Sequence, residues 1–186
     1  TQLMFNLPTS LPRSAYEYGN RSSGETHGVV LTKPHIVDLI LDLAGYTQDR
    51  DLVSTTLLEP SCGHGAFLVS AVTRLLAAFA RSGRHAAALE SAVLAFDIDR
   101  DHVERTRDAL LPLLRQHGIT KPVARRLVET WVREGDFLLA AIDRKFDFVI
   151  GNPPYVRIEQ LSPALQAEYR GLYHSLYDRA DLYVAF

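Results

Sequence analysis

The segment Phe146-Asp147-Phe148-Val149-Ile150-Gly151-Asn152-Pro153-Pro154-Tyr155 ends an apolar run in an amide, two prolines and an aromatic ring. Consecutive prolines fix φ at two positions and donate no backbone N–H, so this turn is stiff and presents acceptors. The acceptors are the Asn152 side-chain oxygen and the carbonyls of Asn152 and Pro153, and Tyr155 adds a flat face. Such a set suits a planar group that carries an amine. Taken alone, Asn-Pro-Pro reads as readily as a strand-ending turn followed by a core tyrosine.

Three acidic residues upstream have the same placement. Glu59 closes the run Thr55-Thr56-Leu57-Leu58. An unpaired carboxylate at a buried strand end costs several kcal/mol, so Glu59 needs a donor, either a backbone turn or a ligand hydroxyl or amine. Asp97 closes Ala92-Val93-Leu94-Ala95-Phe96. A carboxylate there can accept two ribose hydroxyls, and a plain turn residue is the equal alternative. Asp136 follows Gly135 and can accept from an amine beside the Phe137 ring, or simply make a Gly-Asp turn. Between Glu59 and the next helix lies Pro60-Ser61-Cys62-Gly63-His64-Gly65, whose small residues let backbone N–H groups approach a ligand.

These residues need a frame. Residues 32–45 read as a helix capped by Thr32, with Pro34 in its first turn, Gly45 at its end and Ile36, Leu39, Ile40 and Leu43 as its apolar face. A strand runs from Thr55 to Glu59, a helix from Ala66 to the Gly83 region, a strand from Ala92 to Phe96, and a helix from Arg100 to Gln116 capped by Asp99. Over 119–134 a short helix from Pro122 to Leu127 precedes a strand from Val128 to Val132. The run Phe148-Val149-Ile150 reads as a buried fourth strand. Ser162 caps a further helix to Arg170, and a last apolar helix starts at Asp181. Residues 1–30 show no sustained period and read as an irregular segment.

Strands alternating with helices predict an α/β fold with a parallel sheet. Ligands of such sheets bind beyond the carboxyl ends of the strands, where Glu59, Asp97, Asp136 and Asn152 all fall. Four polar residues on four successive strand ends are hard to assign to turns alone. No Gly-Lys-Ser/Thr loop is present, and no third glycine follows Gly63-His64-Gly65-Ala66-Phe67-Leu68, so there is no phosphate grip. This points to a nucleoside without a pyrophosphate, such as S-adenosylmethionine.

Composition narrows the class. The 186 residues are 47% hydrophobic and 23% charged, which suits one globular domain. The 20 Lys+Arg against 22 Asp+Glu leave a net charge of −2, unlike a self-sufficient nucleic-acid binder. A single cysteine, Cys62, excludes an internal disulfide and a cysteine metal cluster, and no metal is expected. No stretch approaches the ~20 apolar residues of a membrane span, and no leader pattern is evident. A cytoplasmic protein with no membrane partner is expected.

The ordered segments Leu31-Thr32-Lys33-Pro34, Leu58-Glu59-Pro60-Ser61-Cys62-Gly63-His64-Gly65, Phe96-Asp97-Ile98-Asp99, Gly135-Asp136-Phe137, Asn152-Pro153-Pro154-Tyr155 and Asp181-Leu182-Tyr183 carry a resemblance. The chain resembles the class I S-adenosylmethionine-dependent methyltransferases, and within them the adenine-N6 DNA methyltransferases of restriction-modification systems, in the group with the TaqI and Eco57I-type enzymes. The resemblance covers roughly residues 25–186, and the Glu-Pro-Ser-Cys-Gly-x-Gly and Asn-Pro-Pro-Tyr pair is its specific part. It implies a Rossmann-like parallel sheet with helices on both faces and a partial catalytic domain over residues 31–186.

The same resemblance implies that Thr32 and the loop from Gly63 to Gly65 hold the methionine portion of S-adenosylmethionine, that Pro60 and Ser61 also border the cofactor, and that Glu59 approaches the methionine amine or an ordered loop group. Asp97 would bind the ribose hydroxyls, Ile98 would pack on the cofactor adenine, Asp136 would accept from the adenine amine and Phe137 would flank that ring. Asn152 also borders the cofactor. Asn152, Pro153, Pro154 and Tyr155 form the implied catalytic turn, with Tyr155 stacked on a target base flipped out of double-stranded DNA. A restriction endonuclease, fused or separate, is the implied partner. Later strands, a second aromatic and a target-recognition domain have no counterpart before Phe186, so an incomplete sheet and a fragment of a longer polypeptide are expected. Release-factor glutamine and RNA-base methyltransferases also use Asn-Pro-Pro-Tyr and are the alternative.

Overall fold

The computed structural model describes Thr32 to Phe186. The irregular segment expected over residues 1–30 lies outside the described residues. Four short strands pair as one parallel sheet: β1 (Leu57–Glu59), β2 (Val93–Asp97), β3 (Val132–Glu134) and β4 (Phe148–Val149), in the order β3-β2-β1-β4. Glu59 lies opposite Ala95, and Asp97 opposite Glu134. All strands point the same way, so their carboxyl ends form one edge.

Alternation along the strands sorts the core. Leu57, Val93, Ala95 and Val132 join one large cluster with buried residues of four helices: α1 (Pro34–Leu43), α2 (Ala66–Ser82), α3 (Arg100–Gln116) and α4 (Lys121–Trp131). Leu58, Leu94 and Phe96 point the opposite way and pack with Phe137, Ala140, Ile142 and Phe146. That second face is covered by a 3-10 turn over Phe137–Leu139 and the loop after it, which packs Phe137 against Leu58, Leu94 and Phe96.

Several expectations need correction. Lys33, not Thr32, precedes the first turn of α1, and no side chain caps that helix. Its buried residues are Val37 and Leu41; of the expected face Ile40 packs partly against the core, while Ile36, Leu39 and Leu43 are exposed. Ion pairs from Arg74 of α2 to Asp38 and Asp42 turn α1 so that the Val37-Leu41 stripe faces the core. The strand expected from Val128 is instead the end of α4. Ala124, Leu127, Val128 and Trp131 recur at helical spacing and are all buried, and the Trp131 indole N–H donates to the Leu89 carbonyl at 2.9 Å. Tertiary burial of that stripe overrides the β-branched bias of Val128 to Val132.

The fourth strand is shorter and less buried than expected. β4 pairs only with β1 among the described residues, and Val149 is 58% exposed. Asp147 fixes its start. The Asp147 carboxylate accepts from the Thr56 backbone N–H at 2.8 Å and from the Thr56 hydroxyl at 2.9 Å. Those bonds, the backbone one foremost, hold its carboxyl below the usual carboxylate range.

The described chain divides into two compact units, one ending at Pro154 and the other running from Tyr155 to Phe186. In the second, α5 (Pro163–Leu172) starts at Ser162, whose hydroxyl accepts from Leu165 N–H. Arg157 and Asp181 form an antiparallel bridge. The expected final helix is a 3-10 turn over Leu182–Ala185.

Candidate cofactor site at the carboxyl edge of the sheet

β1 delivers Glu59 to the sheet edge with 1% of its surface exposed, and its Oε2 has no hydrogen-bond partner among the described residues. Burial pushes its carboxyl well above the ordinary carboxylate value, and the nearby Asp97 charge adds to the shift. A buried acceptor with no protein donor is what a ligand hydroxyl or ammonium would complete.

β2 delivers Asp97, which is also buried. Its Oδ2 accepts the Gly63 backbone N–H at 2.7 Å, and its Oδ1 accepts the Asp99 N–H at 2.9 Å. The turn reading of Asp97 therefore describes part of its bonding. Asp99 caps α3 as expected, accepting from Asp101 N–H at 2.8 Å. Ile98, between the two acids, is 39% exposed and open to an apolar contact.

The loop from Pro60 to Gly65 is tied at both ends. Cys62 N–H donates to the Phe96 carbonyl at 2.8 Å, and Gly65 N–H to the Cys62 carbonyl at 2.8 Å. Pro60 is buried and Ser61 half-buried. Gly65 precedes α2 with φ +79°, and a Cβ there would lie 2.8 Å from Thr106 Oγ1, so only glycine fits. Burial pushes the Cys62 thiol up, which makes it an inert core group.

After β3, Asp136 is buried and its Oδ1 accepts from Leu138 N–H at 2.9 Å, starting the 3-10 turn. Phe137 is half-buried and tilts against Phe96, ring centroids 6.0 Å apart. After β4, Asn152, Pro153 and Pro154 are half-buried, and Asn152 Nδ2 faces Thr32 Oγ1 at 3.4 Å. That contact leaves the Asn152 oxygen as the acceptor and gives Thr32 a partner other than its own helix. In the second unit Tyr155 is 57% exposed and meets Tyr183 in a tilted pair, ring centroids 6.0 Å apart.

Two buried residues of this site, His102 and Thr106, escape the motifs. Both lie on α3, and Thr106 donates its hydroxyl to the Gly63 carbonyl at 3.0 Å. His102 Nδ1 lies 3.2 Å from Asp97 Oδ1. A signal was present, because Thr106 lies on the same helical stripe as Val103, Leu110 and Leu114, and His102 lies one turn before it.

Residues 84–186 match the family described as Eco57I restriction-modification methylase. The chain is 44% identical over 165 residues to the Type II methyltransferase M.PaeR7I of Pseudomonas aeruginosa, spanning 87% of this chain and 29% of that protein. It is 42% identical over 166 residues to M.XhoI of Xanthomonas vasicola, 87% of this chain and 30% of that protein. It is 44% identical over 168 residues to M.BstVI of Geobacillus stearothermophilus, 86% of this chain and 30% of that protein. The chain thus spans less than a third of the length of these relatives.

Proposed function

The chain belongs to the Eco57I restriction-modification methylase family, and from that premise we propose that it carries the S-adenosylmethionine-binding part of an adenine-specific DNA methyltransferase. The observation that carries the reading is the single sheet edge bearing Glu59, Asp97, Asp136 and Asn152 beside a tight glycine loop. The donor set fits this cofactor. Glu59 Oε2 lacks a donor, which the methionine ammonium would supply, and Asp97 keeps acceptor capacity for a ribose hydroxyl. S-adenosylmethionine, when bound, supplies an electrophilic sulfonium methyl group.

In this reading Thr32, Pro60, Ser61, Gly63 and Gly65 border the methionine portion, Ile98 and Phe137 flank the adenine ring, and Asp136 accepts from its amine. Asn152 and Pro153 present carbonyl oxygens to the N6 hydrogens of the target adenine. Two acceptors on those hydrogens localise the nitrogen lone pair, which is otherwise delocalised into the ring. Pro154 keeps the turn rigid, and Tyr155 stacks on the base. Positioning and electrostatics supply the rate without a strong base. Residues 31–186 form the partial catalytic domain, acting on double-stranded DNA in the cytoplasm alongside a fused or separate endonuclease. Among the described residues no helix is long and apolar enough to cross a membrane.

Transfer of tritium from methyl-labelled S-adenosylmethionine tests the reading. Label entering adenine of duplex DNA supports it. Label entering only a release-factor glutamine or an RNA base favours the alternative and contradicts the DNA assignment.

A further inference from the structure

Asp97 is held by more than its own turn. Three nitrogens converge on its carboxylate from three places: the backbone N–H of Gly63 in the loop at 2.7 Å, the backbone N–H of Asp99 in the following turn at 2.9 Å, and the Nδ1 of His102 on α3 at 3.2 Å. The first reaches Oδ2 and the other two reach Oδ1. An ionised carboxylate offers about four lone-pair directions, so one acceptor position remains, on Oδ2. Because an ionised carboxylate can only accept, His102 Nδ1 must carry the proton in this contact. Its other nitrogen then faces Asp99 Oδ2, 3.9 Å away.

His102 also reaches the loop. Its ring lies edge-on to His64, centroids 4.6 Å apart and planes at 80°. His64 is exposed between the two loop glycines, while His102 is 7% exposed. One turn along α3, Thr106 bonds the Gly63 carbonyl and fills the space beneath Gly65. One face of α3 therefore holds both the carboxylate and the loop whose N–H that carboxylate accepts. A histidine that only filled core space would have no need of a charged partner, and an apolar residue would fill this space without the cost of burying an imidazole.

We infer that His102 is a positioning residue for cofactor binding: its Nδ1–H fixes the rotation of the Asp97 carboxylate so that the remaining Oδ2 acceptor faces a ribose hydroxyl. This rests on the reading of Asp97 as the ribose carboxylate. The test is calorimetric titration of the full chain with S-adenosylmethionine, paired with thermal unfolding. His102→Leu removes the donor and keeps bulk. His102→Asn places an amide N–H where the imidazole Nδ1–H stood. His102→Leu is expected to weaken binding by about tenfold to a hundredfold, the worth of a hydrogen bond to a charged group, and His102→Asn to restore it.

Equal binding by the parent chain and a folded His102→Leu would overturn the inference alone, as would an Asn variant as weak as the Leu variant. No binding by the parent would overturn the cofactor reading and the inference with it. Nitrogen NMR of the parent keeps the test independent of how the variants fold. A protonated His102 Nδ1 whose resonance moves on adding S-adenosylmethionine supports the inference, and a ring protonated only at Nε2 overturns it.

Discussion

Gly63 donates its backbone N–H to Asp97 Oδ2 at 2.7 Å across 34 residues of sequence. The glycine loop after β1 and the acid at the end of β2 are thus one hydrogen-bonded unit, and changes to either are felt by the other.

Glu59 predicts an inverted pH dependence. Burial, with Asp97 nearby, raises its carboxyl well above the ordinary 4.5. In the ligand-free chain the folded state keeps a proton that the unfolded state releases, so this group lowers stability as pH rises above 4.5, until the folded-state value is passed. Glu59→Gln stays neutral throughout. It is expected to be more stable than the parent by about 1–3 kcal/mol at neutral pH. That gap should close as pH falls to 4.5. Thermal unfolding across pH checks this, and a gap that widens on acidification would contradict it.

The two loop glycines should differ in their tolerance of a side chain. Gly65→Ala combines φ +79° with contacts of 2.8 and 2.9 Å to Thr106, and should cost about 2–4 kcal/mol. Gly63→Ala meets nothing within 4 Å and carries only its φ of +52°, a cost of about 1–2 kcal/mol. Chemical denaturation separates the two, and equal costs would contradict the packing described.

Trp131 anchors α4. It is fully buried and bonds the Leu89 carbonyl at 2.9 Å. Trp131→Phe loses that bond and leaves space, so unfolding is expected to be about 2–4 kcal/mol easier by denaturant titration. A change within experimental error would show that the helix end is not held there.

The ends of β1 and β2 are legible because each apolar run stops at an acid, Glu59 and Asp97, and a parallel sheet brings such stops to one edge. Asp136 and Asn152 lie two and three residues past the ends of β3 and β4. The packing face of α1 is not legible, because both Ile36-Leu39-Ile40-Leu43 and Val37-Leu41 are apolar stripes, and the choice between them rests on Arg74 of another helix. The end of α4 is not legible, because Val128 and Val132 favour strands until Trp131 is buried. His102 and Thr106 carry no motif, because their partners lie 5 and 43 residues away, on the sheet edge and in the loop. Only their place beside the apolar stripe of α3 hinted that a polar pair was buried.

Calorimetric binding of S-adenosylmethionine to the parent chain, Asp97→Ala and Asn152→Ala tests the central claim most directly. The account predicts that the parent and Asn152→Ala bind, that Asp97→Ala loses about tenfold or more, and that Asn152→Ala, although loaded with cofactor, transfers no methyl to DNA. Binding lost equally in Asn152→Ala and Asp97→Ala, or absent from the parent, would contradict it.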